Sequence, residues 1–298
     1  MYPHAFRYHR AGSLEEAVSM LGELGEDAKL LAGGQSLIPL MKLRLSSPSH
    51  LVDLNFVPGV AHISRSNGDL RLGAMARHAE LAASDAIRAL PLLHDCAEGI
   101  ADAQVRNRGT IGGSLAEADP SGDWGAALLA LPAEVRCLGP AGERTIPISE
   151  FFLDAYTTAL APGEMVREIV VKGAKNSAGG AYVALKRCAP VYATASVAAQ
   201  LSMNDSATCG EARIVLGCVG LTAIRAQAAE DELGGKELNP QTIARAAEAA
   251  MSAADPQPDM RGSVAYKRAL VGSLTRRAVD IALRRSRGES VRGGHIYA

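Results

Sequence analysis

Two short glycine clusters are the parts of this 298-residue chain best suited to do chemistry. The first is Ala32-Gly33-Gly34-Gln35-Ser36, behind the apolar pair Leu30-Leu31. The second is Thr110-Ile111-Gly112-Gly113-Ser114, behind Arg106-Asn107-Arg108-Gly109. A Gly-Gly step lets the backbone enter positive φ and brings N–H groups close to a ligand with no Cβ in the way. Successive amides in such a turn form a concavity that suits phosphate oxygens. Two concavities far apart in sequence are able to grip one pyrophosphate from opposite sides. Each alone is more often an ordinary turn; order, spacing and flanks separate the two readings.

Local patterns place these clusters. Phe6 to Tyr8 reads as a strand, and Ser13 N-caps a helix with Glu16 in capping-box position and Ala17, Leu21 and Leu24 on one face. Lys29 to Leu31 is the next strand, running into the first cluster, and Leu51 to Leu54 closes this lobe. The strand–helix–strand order suggests a dinucleotide fold, yet the chain has no G-x-G-x-x-G opening a helix and no G-x-x-x-x-G-K-[ST]. The phosphate site is therefore of another design. A second α/β lobe follows from about Phe56 to Lys172, with strands at Leu70-Leu72, Glu134-Leu138 and Val166-Val171 and helices at Pro91 to Ile100 and Trp124 to Leu131. Gly173 through Gly180 reads as a linker. Beyond it come strands Ala181-Leu185, Ser196-Met203 and Ala212-Cys218. Helices follow at Pro240 to Ala253 and Val264 to Arg287, the latter amphipathic with Ala265, Ala269, Val279 and Leu283 apolar. The basic stretch from Arg284-Arg285 to Arg292 reads as a solvated end.

The run Ala32-Gly33-Gly34-Gln35-Ser36-Leu37-Ile38-Pro39-Leu40-Met41-Lys42-Leu43-Arg44, followed by Arg106 to Ala116, resembles the FAD-binding medium subunit of molybdenum hydroxylases. The flavoprotein subunits of carbon monoxide, nicotinate and xanthine dehydrogenases belong to that family. The resemblance continues through Ala118-Asp119-Pro120-Ser121-Gly122-Asp123 and from Phe151-Phe152 to Glu164. It reaches Lys186-Arg187 and so spans nearly the whole chain. It implies an α+β chain: a two-lobed FAD-binding module of the vanillyl-alcohol-oxidase type plus a smaller C-terminal α+β domain. The expected divisions are 1–55, 56–175 and 176–298. Noncovalent FAD is implied too, since neither cluster holds a histidine or cysteine for attachment.

On this resemblance Gly33, Gly34, Gln35 and Ser36 contact the pyrophosphate, with Thr110, Gly112, Gly113 and Ser114 donating in the same way. Thr110 and Ser114 also suit turns that bond their own backbone. Lys29, Leu31, Ala32 and Leu37 flank the first loop, the two leucines covering apolar parts of the cofactor. Ala118 and Asp119 follow the second. Asp123 takes the family position that accepts from ribose or ribityl hydroxyls, and it equally suits a helix cap. Ile100-Ala101 matches a segment packed beside the cofactor and Leu160 an apolar ring contact, both equally suited to the core, and Tyr192 matches an aromatic covering one ring face. Lys186 matches a lysine near the isoalloxazine; a surface lysine is the alternative. Three positions depart from the pattern: Val191 replaces an acidic residue, Pro190 a glycine, and Glu117 stands where many relatives carry histidine or asparagine.

Composition sets the limits. At 48% hydrophobic the chain can bury a core in two or three domains, and its net charge of −1 provides no general basis for binding nucleic acid. No apolar run approaches membrane-spanning length and the N-terminus lacks a signal-like core, so a cytoplasmic location is expected. The five cysteines are scattered without a C-x-x-C pair, and the seven histidines without ligand spacing. Metal chemistry is thus expected on another chain, and the resemblance implies molybdopterin and [2Fe-2S] clusters only on partners, a large and a small subunit, in a dimer of heterotrimers. A standalone FAD oxidase or dehydrogenase is the alternative; neighbouring genes discriminate. A module that has lost FAD is a third reading, opposed by the intact glycines.

Overall fold

The computed structural model describes residues 2–174, 179–204 and 208–297. Its N-terminal lobe comprises β1 (Arg7–Arg10), α1 (Leu14–Leu24), β2 (Ala28–Leu31), α2 (Leu37–Leu43) and β3 (His50–Asp53). The strands form a parallel sheet in the order β1-β3-β2. Ser13 caps α1 by accepting from the Glu16 N–H at 3.0 Å. The Glu16 carboxylate reaches back to Gly12 N–H rather than to Ser13. Ala17 and Val18 of α1 pack on Val52 and Leu54, so the helix covers one face of this small sheet.

The next elements are the hairpin β4 (Ile63–Ser66) and β5 (Asp69–Gly73), then a helical stretch. That stretch holds α3 (His78–Ala83), α4 (Asp85–Arg88), α5 (Pro91–Gly99), α6 (Ala103–Arg106), α7 (Ile111–Glu117) and α8 (Asp123–Leu129). After it come β6 (Ala133–Gly139), β7 (Gly142–Pro147), α9 (Ile148–Phe151), β8 (Phe152–Asp154), β9 (Thr157–Thr158) and β10 (Met165–Val171). The main sheet here is antiparallel, ordered β4-β5-β10-β6-β7. Side-chain alternation gives it two faces. Val135, Cys137 and Ile169 enter the core, whereas Glu168 lies on the other face, held by two arginines and a histidine. Arg71 binds its carboxylate through two bonds of 3.0 and 2.7 Å, with His62 at 2.8 Å and Arg136 at 3.4 Å.

The last part consists of β11 (Gly180–Lys186), β12 (Ala195–Met203), β13 (Cys209–Gly217), β14 (Ile224–Arg225), α10 (Gln227–Leu233), α11 (Pro240–Ala253), α12 (Val264–Ser286) and β15 (Gly294–Tyr297). Its sheet runs β14-β13-β12-β11-β15, antiparallel except that β15 lies parallel beside β11. One face packs α10 and α12 through Val197, Leu216, Ala229, Val279 and Ala282, and α11 lies against those two helices. The other packs the preceding lobe: Tyr182, Ala184, Ala198 and Val215 share one core with Leu92, Cys96, Trp124 and Ala127. Packing is therefore continuous across residue 175. The buried Leu92 and Val215 side chains each contribute about 1.5–3 kcal/mol. The expected linker Gly173 to Gly180 contains residues 175–178, outside the described set, and its last residue opens β11.

The expectation of a solvated basic end needs correction. Arg284, Arg287 and Arg292 are exposed, but Arg285 turns inward and binds Asp95 of α5 at 2.6 and 2.9 Å, and also the Gly180 and Val291 carbonyls. The chain then re-enters the sheet as β15. Charge composition alone concealed this, because one arginine of the pair pays its desolvation with four acceptors. Two neighbouring substitutions separate the roles. Arg285→Ala leaves the Asp95 carboxylate buried without its cation and should lower the unfolding free energy by about 3 kcal/mol. Arg284→Ala, which breaks only an exposed pair with Glu289, should leave the unfolding free energy nearly unchanged. Urea unfolding of both variants checks the contrast.

Candidate cofactor site

The two glycine loops meet. A Cβ on Gly33 would overlap the Arg108 carbonyl and lie 2.8 Å from the Gly109 Cα. One on Gly113 would stand 3.6 Å from the Ala32 Cβ. Backbone thus packs on backbone where no side chain fits. Positive φ is confined to Gly34 (+70°), so the demand at Gly33 and Gly112 is for close approach and not for left-handed backbone. Gly112 lies against Ala74, whose Cβ would be 2.5 Å from an added methyl.

The loops differ in what they leave free. Among the described residues no acceptor meets the N–H groups of Gly33, Gly34, Gln35, Ser36 and Leu37. Five consecutive amides around a left-handed glycine make an anion-binding concavity. Asn55 braces it, donating to the Ala32 carbonyl at 2.9 Å and to Asp53 at 2.6 Å; Asp53 in turn accepts from Tyr8. The second loop is otherwise. Its residues start helix α7, and the amides of Gly112, Gly113 and Ser114 go to the Ala74 carbonyl, the Thr110 hydroxyl and the Thr110 carbonyl. Equal donation from both loops is therefore corrected: the second contributes the Ser114 hydroxyl and a wall. Thr110 is the N-cap of α7, the local role foreseen for its hydroxyl.

His78 stands behind the second loop. Its ring is against Gly109, its backbone N–H donates to the Gly109 carbonyl, and its Nδ1 accepts from Trp124 Nε1 at 3.2 Å. Burial pushes its pKa down to about 4, with the Asp123 charge opposing and Arg106 assisting. The imidazole is neutral at pH 7.

A second group of expected residues gathers around Asp123. This residue opens α8 after the cap position Gly122 and is buried. Its carboxylate accepts from Tyr182 Oη at 2.7 Å and faces His295 Nε2 at 3.4 Å. Burial works to raise its pKa, and the His295 and Tyr182 bonds with the Lys186 charge overcome that, holding it below the usual range. Lys186 is 1% exposed, so the surface-lysine alternative fails. Its Nζ donates to the Gly99 carbonyl at 2.6 Å. Arg106 Nη1 donates to the next two carbonyls, Ile100 at 2.9 Å and Ala101 at 3.0 Å. Ala101 is held at φ +44°, a strained conformation for a residue with a Cβ.

The remaining residues are dispersed. Ala118 ends α7 with φ +50°, and Asp119 follows beside the Tyr156 and Tyr192 phenols. Burial and Asp119 raise the Tyr192 phenol, though its side chain remains about half exposed. Glu117 is raised by burial and by Asp119. Leu160 packs at the edge of the central core, and Lys29 is exposed on β2 without a polar contact to either loop. Pro190 and Val191 lie exposed between β11 and β12. Sequence reading missed Asn55, Tyr182 and His295; Asn55 follows a strand end, a usual place for a loop-bracing amide, and the other two carried no local signal. No cluster of three potential metal ligands occurs among the described residues, and their five cysteines are unpaired.

Residues 4–171 match the family described as the FAD binding domain in molybdopterin dehydrogenase, and residues 180–282 the CO dehydrogenase flavoprotein C-terminal domain. The chain is 41% identical to the 6-hydroxypseudooxynicotine dehydrogenase complex subunit alpha of Paenarthrobacter nicotinovorans, over 96% of this chain and 97% of that one. It is 41% identical to the carbon monoxide dehydrogenase medium chain of Hydrogenophaga pseudoflava, over 95% and 98%. Among solved structures, a chain of carbon monoxide dehydrogenase from Hydrogenophaga pseudoflava superposes with TM-score 0.91 at 43% identity, covering 96% of this chain and 99% of that one. Quinoline 2-oxidoreductase from Pseudomonas putida 86 gives 0.90 at 35%, covering 95% and 99%.

The neutral His78 has a pH signature. Its folded pKa lies below the unfolded value of 6.5, so the unfolded chain binds the extra proton first. Stability is complete above 6.5 and lost as pH falls from there toward 4. Between pH 7 and pH 5 this one residue should remove about 2 kcal/mol of unfolding free energy. Urea titrations at the two pH values should show that loss in the wild type and a flatter dependence in His78→Gln.

Proposed function

The chain belongs to the FAD-binding medium subunits of the molybdenum hydroxylases, oxidoreductase flavoproteins that transfer electrons within those complexes, and on that premise we propose how its residues hold the cofactor. One observation carries the reading: the five unaccepted amides of residues 33–37, set where the two glycine loops touch. Those amides take the pyrophosphate oxygens, with the Ser36 and Ser114 hydroxyls as further donors. Leu31, Ala32 and Leu37 cover apolar parts. Ile100, Ala101, Leu160 and Tyr192 border the ring, with Ala118 and Asp119 at the rim. Asp123 and Lys186, both buried, act through Tyr182, His295 and the Gly99 carbonyl rather than by touching the cofactor. Noncovalent attachment fits loops without histidine or cysteine. When bound, FAD supplies a carrier able to accept electrons singly and pass them on in pairs.

The partners follow from the same premise. A large subunit with molybdopterin oxidises the substrate, and a small subunit with [2Fe-2S] clusters relays electrons to this chain, which hands them to an outside acceptor. A dimer of heterotrimers in the cytoplasm is the expected assembly. No helix among the described residues is long and apolar enough to cross a membrane. The divisions 1–55, 56–175 and 176–298 serve as two FAD-binding lobes and a C-terminal domain.

Purified chain should absorb near ~450 nm, and heat should release FAD rather than FMN, because the amide concavity suits a pyrophosphate that FMN lacks. Colourless protein that also ignores added FAD would overturn the reading. Gly33→Val forces the two loops apart at the Arg108 carbonyl and should reduce FAD affinity by at least tenfold while leaving far-ultraviolet dichroism intact; titration by flavin fluorescence checks it. In anaerobic stopped flow, dithionite should bleach the isolated holoprotein, whereas aldehydes, N-heterocycles and carbon monoxide should not. Substrate-driven bleaching should appear only with both partner subunits. Rapid bleaching of the isolated chain by a small organic substrate would instead mark a standalone oxidase.

A further inference from the structure

Three consecutive carbonyls, those of Gly99, Ile100 and Ala101, are each bound by a cation: the first by Lys186, the next two by Arg106. In a trans peptide the N–H points opposite to its C=O. Drawing these carbonyls toward the cations therefore turns the N–H groups of Ile100, Ala101 and Asp102 the other way. Those three N–H groups have no acceptor among the described residues. The strain at Ala101, φ +44°, is maintained by the same two cations. A turn so held is a set of donors without a partner.

The third wall of this turn is a side chain from the far end of the described chain. Strand β15 lies parallel to β11 with His295 opposite Ala184 and Tyr297 opposite Lys186. The His295 side chain is 2% exposed. One ring nitrogen faces Asp123, the ring is 5.7 Å from that of Tyr182, and the other nitrogen, Nδ1, is buried with no hydrogen-bond partner. A Cβ on Gly99 would fall on the imidazole itself, so the ring fills the space beside the Gly99 Cα. Gly99 is thus held by Lys186 through its carbonyl and by His295 through van der Waals contact. Neither residue has an exposed surface from which to touch a ligand.

We propose that His295 is a positioning residue of the flavin site: seated on Asp123, it props the 99–102 turn against Lys186 and Arg106 so that the amides of Ile100, Ala101 and Asp102 are offered to the electron-rich edge of the isoalloxazine. This rests on the FAD reading above and deepens it. The amides stabilise the reduced ring more than the oxidised one, because reduction adds negative charge at its nitrogens and oxygens. The orphan Nδ1 is the cost of using a planar ring as a spacer.

The test uses the full-length chain and begins with the wild type, whose failure to bind FAD would overturn the function reading before any variant is made. Given wild-type binding, His295→Ala should weaken FAD at least tenfold by fluorescence titration, alter the fine structure of the ~450 nm band and shift the midpoint potential to more negative values. His295→Gln, whose amide nitrogen can still reach Asp123, should restore affinity to within about threefold. Ile296→Ala, on the same strand but packed into the other core, should change none of these. A folded His295→Ala with wild-type affinity, spectrum and potential overturns the proposal; so does an equal loss in Ile296→Ala, which would reduce His295 to a strand-docking role. If His295→Ala does not fold, Gly99→Ala decides. Its methyl collides with the imidazole and should reproduce the spectral and potential shifts, and wild-type values in that variant overturn the proposal equally.

Discussion

Everything that shapes the candidate site depends on one contact, the approach of the Gly33 backbone to the carbonyl of Arg108. Without a Cβ there, two loops more than seventy residues apart in sequence pack main chain to main chain. That contact orients the first loop so that its amides face outward unpaired. The second loop serves as its support, with its own amides already consumed in starting α7. The asymmetry has a physical basis. A helix start leaves its first amides without intrahelical partners; at α7 the Ala74 carbonyl and the Thr110 hydroxyl and carbonyl take them, whereas at the first loop no acceptor among the described residues does. Behind the support stand His78 and Trp124, whose hydrogen bond fixes the ring against Gly109.

Burial organises the other half of the site. Asp123, Lys186 and Tyr182 are titratable groups taken out of water together, and each is compensated by another polar group instead of by solvent. A buried polar network is stable only when its members satisfy one another. Here the network also joins the lobes, since Asp123 and Gly99 belong to the helical stretch and Tyr182 and Lys186 to β11. The shared core of Trp124, Leu92, Ala198 and Val215 makes the same junction in apolar form. The site consequently lies on a rigid seam, which suits a carrier whose energy levels depend on fixed dipoles.

Much of this was legible from the residue order alone. The strands at Ala28–Leu31 and Met165–Val171 and the helix at Pro240–Ala253 stand within a residue or so of their expected places, because each has strong periodicity and a clear cap or breaker. The glycine loops were legible as a pair. Their unequal roles were not, since hydrogen-bond partners such as Ala74 and Thr110 are set by the tertiary path. Lys186 illustrates the same limit: nothing in Ala184-Leu185-Lys186-Arg187 says which of two adjacent cations turns inward. Arg285 and His295 were hidden for a further reason. Their partners, Asp95 and Asp123, lie 190 and 172 residues away, and no local pattern encodes a pairing at that separation.

The parallel placement of β15 has a consequence for the order of assembly. Parallel neighbours cannot be joined by a tight turn, so β11 has to wait beside an empty strand position while β12, β13, α11 and α12 fold. Val183 pairs with Gly294, 111 residues further on; closing a loop of that length costs about 1.5 kcal/mol more chain entropy than closing one of 20. Contacts of this span form late and slowly. The first glycine loop, built from neighbours in one small lobe, is free to form early in synthesis; the seam behind the second waits for the final strand. Maturation of such a chain then has a natural checkpoint, because a copy truncated before residue 294 retains the early loop yet lacks the strand that closes the sheet.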